Sequence, residues 1–134
     1  MHAGRRIAWA VLATSMLAVA SFAQTGHPAK GSWLGYWGPN DADQRRIRLL
    51  LDWEDRTVTG RINPGRNEVP IAASSIDYDT WTLTIEAEMP AESGNMERFV
   101  AIGVLDNLGS WTNRRYAGTY TFGNESGQFE LMLN

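Results

Sequence analysis

Cysteine is absent from the 134-residue chain. Its absence excludes a disulfide framework, a thiolate metal site, a thiol nucleophile and a lipid-modified cysteine. Histidine is nearly absent as well, with only His2 and His27. Lysine occurs once, at Lys30, and the net charge of −3 argues against a nucleic-acid partner. Long apolar runs are missing too. The longest, Ile7 to Ala20, falls short of the roughly 20 residues that a spanning helix needs.

That short run is placed as in a secretory leader. Arg5 and Arg6 form a positive head, and Ser21-Phe22-Ala23 puts small residues at the two positions a signal peptidase reads. Residues 1–23 are therefore expected to be a signal peptide of the general secretory route. The paired arginines suggest twin-arginine export, but their flanks fit that signal poorly. The expected location is periplasmic or secreted, in a bacterium, with no membrane span after cleavage. Residues 24–31, rich in Gly and Pro, are expected to be a flexible tail carrying His27. With one tail histidine left, no Ser-His-Asp triad or histidine–cysteine zinc site can be built.

The remainder, 32–134, reads as one domain of eight strands with almost no helix. Period-two alternation recurs at about 32–38, 45–54, 57–63, 68–76, 81–89, 97–106, 114–122 and 127–133. Turn residues separate the strands, among them Gly38-Pro39-Asn40-Asp41, Glu54-Asp55-Arg56, Asn63-Pro64-Gly65, Asp77-Tyr78-Asp79 and Gly123-Asn124. One face of each strand is apolar, as in Ile47, Leu49, Leu51 and Trp53, or Trp81, Leu83, Ile85, Ala87 and Met89. The other face carries Thr, Glu, Arg and Gln, which excludes a transmembrane barrel. The sixth strand is the exception, because Val100, Ile102 and Val104 make its second face apolar. That pattern suits a covered patch or a homodimer contact.

Four inward rows carry a central glycine: Trp33-x-Gly35-x-Trp37, Val58-x-Gly60-x-Ile62, Ala101-x-Gly103-x-Leu105 and Tyr116-x-Gly118-x-Tyr120. Glycine weakens a strand unless a ring must fit above it or the strand must coil sharply. Both are demands of a small closed barrel. The expected fold is all-β, an eight-stranded antiparallel up-and-down barrel, with a two-sheet sandwich as the alternative.

Two short motifs carry a family resemblance. Gly31-Ser32-Trp33 resembles the G-x-W of a lipocalin first strand, and Tyr116-Ala117-Gly118-Thr119-Tyr120 is similar to the closing strands of such barrels. The chain thus resembles the calycin group, the lipocalin-like and avidin-like barrels. It also resembles short exported bacterial proteins that end in a G-x-F-x-L strand, here Gly127-Gln128-Phe129-Glu130-Leu131. The resemblance implies a barrel scaffold. It does not extend to biotin binding, because Leu34-Gly35-Tyr36 after Trp33 is unlike the polar run of avidins.

The remaining candidate chemistry is sparse. Asp52, Glu54 and Asp55 share a turn, while Glu86 and Glu88 alternate with threonines on a solvent face and suggest no glycosidase pair. Asn40, Asp41 and Asp43, or Asp77 and Asp79, lack a full calcium-loop spacing and read as turn chemistry. Arg45-Arg46-Ile47-Arg48 reads as a solvated strand face, and Asn124-Glu125-Ser126 as a hairpin turn. The aromatic residues are the strongest signal. Trp33, Trp53 and Trp81 are expected in the core. Tyr36, Trp37, Trp111 and Tyr116, with Arg114 or Arg115 to hold a polar end, are expected to line a barrel mouth that binds a small apolar or amphipathic ligand. In the alternative, Trp111 plugs one end of a filled core, and the outer faces bind a protein or glycan. Neither reading calls for catalysis, a cofactor or a metal.

Overall fold

The computed structural model describes residues 26–65 and 67–134; the expected signal peptide, 1–23, lies outside them. Nine strands run in chain order: β1 (Gly31–Gly38), β2 (Arg45–Glu54), β3 (Thr57–Ile62), β4 (Val69–Pro70), β5 (Ala73–Asp77), β6 (Thr82–Pro90), β7 (Met96–Asp106), β8 (Arg115–Phe122) and β9 (Glu125–Leu133). They form one antiparallel sheet in the order β4-β3-β2-β1-β9-β8-β7-β6-β5. The described residues contain no helix. Every neighbour in the sheet is also a neighbour in sequence, except that β1 pairs with β9, with Gly35 opposite Leu131. This is one continuous sheet rather than the two of a sandwich.

The sheet rolls around a single core until β3 and β5 touch. No ladder joins those two strands, so the expected closed barrel is corrected to a rolled sheet with a seam. The cause lies in the segment expected to be one strand, 68–76. Its first part pairs with β3 and its second with β6. Between them, Ile71 donates its N–H to the Gly60 carbonyl on β3, while Ala72 donates to Glu86 on β6. Pro70 has no N–H to extend the first ladder. Across the seam, the Ser74 hydroxyl donates to the Val58 carbonyl at 2.6 Å.

The inward rows bury Trp33, Trp37, Ile47, Leu49, Leu51, Val58, Ile62, Leu83, Ile85, Phe99, Tyr116, Tyr120, Phe129 and Leu131 in one cluster. Two aromatic groups lie end to end within it. Tyr116 packs edge-on against Trp33 and Phe129, and Trp37 packs against Phe99, Tyr120 and Phe122. Gly103 and Gly118 face each other across β7 and β8, and Gly118 also faces Phe129. A Cβ on Gly103 would lie 2.6 Å from the Phe129 ring, so the ring needs that missing side chain.

Trp53 and Trp81 sit at the edge of the core, half-buried. Trp81 precedes β6 with φ at 55°, a conformation costly for a bulky residue. Its carbonyl accepts the N–H of Leu105 at 2.9 Å, which helps hold it there. The β2–β3 hairpin turns on Asp55 and Arg56, both with positive φ, as a two-residue turn matched to strand twist requires.

Candidate functional site

The six expected site residues do not converge. Trp37 and Tyr116 are interior: Tyr116 is fully buried, and its hydroxyl donates to the Leu83 carbonyl at 2.8 Å. Burial raises its pKa far above the ordinary range. Trp37 lies under the Arg45 guanidinium, 3.9 Å from the ring centroid. Tyr36, Trp111, Arg114 and Arg115 divide between the outer face and the end of the sheet where β1 begins.

That end is closed by residues 27–31, so the expected loose tail is ordered there. Ala29 is fully buried, and its carbonyl accepts the Trp33 indole N–H at 2.8 Å. His27 stacks on Trp53 with centroids 3.9 Å apart and meets the Tyr78 hydroxyl at 3.1 Å. Its Nδ1 accepts the Ala29 N–H, which leaves the proton of the neutral ring on Nε2. Burial lowers the His27 pKa. Tyr78 packs edge-on against Trp81, completing an aromatic group of His27, Trp53, Tyr78 and Trp81.

Arg114 locks the same end. It is 5% exposed and donates to the carbonyls of Pro28, at 3.1 Å, and Leu108, at 2.6 Å. Its Nε finds no acceptor among the described residues, and burial lowers its pKa. Trp111 is 72% exposed and covers the guanidinium at 5.0 Å. Arg114 therefore has structural partners and is not free to receive a ligand's polar end.

Among the described residues the inward rows fill the core. A void of about 10 Å³ lies among Ile47, Ile85, Phe99, Tyr116 and Leu131, room for about one water.

Space lies instead on the outside. A groove of about 640 Å³ runs over β1, β9 and β8, lined by Tyr36, Asp41, Gln44, Arg115, Gln128 and Glu130. A second hollow of about 580 Å³ adjoins it and shares Asp41, Gln44 and Gln128. Register explains the assembly: Tyr36 faces Glu130 across β1 and β9, and Ala117 faces Glu130 across β9 and β8. Arg115 donates to Glu130 at 3.0 and 2.7 Å, so the floor carries a paired charge. The wall is the loop after β1. There Asn40 Oδ1 accepts the N–H groups of Ala42 and Asp43, and Gln44 donates to the Asn40 carbonyl. Tyr36 is 52% exposed above this floor.

Of the six residues expected at a barrel mouth, Tyr36 and Arg115 line this outer groove instead; Asp41, Gln44, Gln128 and Glu130 were not among them. The outward parity of Gln128 and Glu130 was visible; their placement beside Tyr36 depends on pairing between the first and last strands. Arg45, expected on a solvated face, instead points along the inward row to Trp37 and pairs with Glu125. The Asx bonds of Asn40 and of Asp77, which accepts the Asp79 N–H, show turn chemistry at the two acidic turns. Among the described residues, no group of three or more His, Asp or Glu could hold a metal, and no helix is long and apolar enough to cross a membrane.

Comparison with protein-family models, with curated proteins and with solved structures finds no match for this chain.

Proposed function

We propose that the chain is an exported, non-enzymatic binding module on a calycin-like scaffold whose rolled sheet stays open at one seam, and that it takes a glycan in the outer groove. The observation that carries this reading is the contrast between a filled interior, with a void of about 10 Å³, and an outer groove of about 640 Å³. The groove's chemistry suits a hydroxylated ligand. An exposed tyrosine ring offers a flat apolar face to sugar C–H groups. The Gln128 amide supplies donors and an acceptor to neighbouring hydroxyls, and Gln44, which donates to the Asn40 carbonyl, adds its carbonyl oxygen. Arg115 and Glu130 pair with each other and Asp41 adds a carboxylate acceptor, which suits hydroxyl donors better than an anionic ligand.

The test is calorimetric titration of the purified protein with soluble oligosaccharides, beside native mass spectrometry. Tyr36→Ala should weaken binding at least about tenfold, while Trp111→Ala leaves it unchanged. Equal binding by Tyr36→Ala sinks the groove reading. A co-purifying apolar molecule lost in Trp111→Ala supports the barrel-mouth reading instead.

A further inference from the structure

We propose that the outer face of β7 is the self-complementary contact of a two-fold dimer, in which β7 of one copy packs antiparallel over β7 of the other. This surface adjoins the groove through Arg115 and Thr119, but the proposal does not depend on what the groove binds. Three observations converge on it.

The first is exposure of the wrong chemistry. Ile102 is 48% exposed and Val104 43%, and Val100 stands beside them on the same outward row. A β-branched run facing water on a strand interior is what an unpartnered contact looks like.

The second is the order of charges along that row. It reads Arg98, Val100, Ile102, Val104, Asp106, with a cation and an anion equidistant from Ile102. Four residues of strand span about 13 Å on either side. A two-fold axis midway between the two sheets, passing over Ile102, parallel to the sheets and perpendicular to β7, puts Arg98 of each copy over Asp106 of the other. The parallel arrangement would stack Arg98 on Arg98 and Asp106 on Asp106, so charge selects the antiparallel one. Both side chains are accessible, Arg98 beside Glu86 and Asp106 beside Arg115. The arginine is long enough to span the angle between two aligned sheets about 10 Å apart.

The third is the flanks. The same axis lays Thr84 on Thr84 and Thr119 on Thr119, since both are the cross-strand neighbours of Ile102. Glu86, opposite Val100, then meets Thr82, opposite Val104. No like charges meet beside the apolar centre, and the short threonines let the two convex faces approach.

Sedimentation velocity of the purified protein over a micromolar concentration series tests the proposal, with near-UV circular dichroism to confirm that each variant keeps its fold. The parent should form a dimer of twice its monomer mass. Ile102→Glu should abolish it, and the milder Ile102→Thr should raise the dissociation constant at least about tenfold. Arg98→Glu and Asp106→Arg should each be monomeric alone. Mixed together, they should form a heterodimer, because both cross-pairs become opposite in charge. A parent that stays monomeric overturns the proposal, as does a dimer that survives Ile102→Glu. A mixture of the two charge variants that fails to associate while the parent dimerises rejects the antiparallel geometry. Loss of glycan binding in Tyr36→Ala alone leaves this result untouched, so the two readings fail separately.

Discussion

The two ends of the rolled sheet are sealed by opposite means. Where β1 ends, the seal is a cluster of side chains from paired strands. Arg45 lies on Trp37 and pairs with Glu125, which accepts the Tyr120 hydroxyl at 2.7 Å. Where β1 begins, the seal is a folded-over backbone segment, 27–30, pinned by a buried arginine that bonds carbonyls and by an indole that bonds another. The first seal is half-exposed and uses charge against charge. The second is buried and bonds two guanidinium nitrogens to peptide carbonyls, leaving Nε without an acceptor. Removing one partner should therefore cost little at the first end and much at the second, because a buried group left unpaired pays its full desolvation.

The sharpest break of this contrast is Arg114→Met against Arg45→Met. The first strands the Pro28 and Leu108 carbonyls and should cost about 3 kcal/mol in urea unfolding. The second should cost about 1 kcal/mol or less. Equal losses would erase the distinction. Next comes Trp33→Phe, which deletes the bond to Ala29 and trims the core, for about 2 kcal/mol. Proteolysis within residues 27–30 should quicken in step, with no change near Glu125.

Acid separates the ends by pH. At the His27 end, burial holds the folded pKa below the ordinary 6.5. The unfolded chain therefore takes the proton first, and stability is lost as pH falls from 6.5 to the depressed folded value. Protonation also removes the Nδ1 acceptor of Ala29. At the other end, burial raises Glu125, but the Tyr120 hydrogen bond and Arg45 outweigh it and hold the folded pKa below 4.5. The contribution of Glu125 is present above 4.5 and is lost only as pH falls below it. Amide exchange at Ala29 should thus rise in a higher pH window than exchange at Glu125, and His27→Phe should remove the first phase. The smallest effect is spectroscopic. Burial first, then Glu125, pushes Tyr120 up to about 12, with Arg45 opposing. Glu125→Gln should bring that titration down toward the ordinary tyrosine range, read by ultraviolet absorbance.

Apart from 68–76, which splits into β4 and β5, strand positions and their inward rows were legible in the sequence, because alternation is a local property and one face meets one core. The glycine in the row of β7 was legible too, since Phe129 needs the space. Less legible was whatever depends on two distant segments meeting. His27 looks like a loose residue until Trp53 and Tyr78 supply its surroundings. Tyr36 and Glu130 become neighbours only through the β1–β9 pairing. Arg114 and Arg115 are adjacent in sequence, yet one is sealed inside an end and the other forms an outer ion pair. Strand parity separates them, but their partners come from elsewhere in the chain.

The seam between β3 and β5 bears on how this protein can be recruited into larger structures. A sheet normally ends in rows of unused peptide groups that another chain can extend, the route taken by strand-adding adhesins and by fibrils. Here one bent segment serves as the last strand on both margins, and each margin is turned toward the other. Growth by strand addition has little purchase on such a molecule.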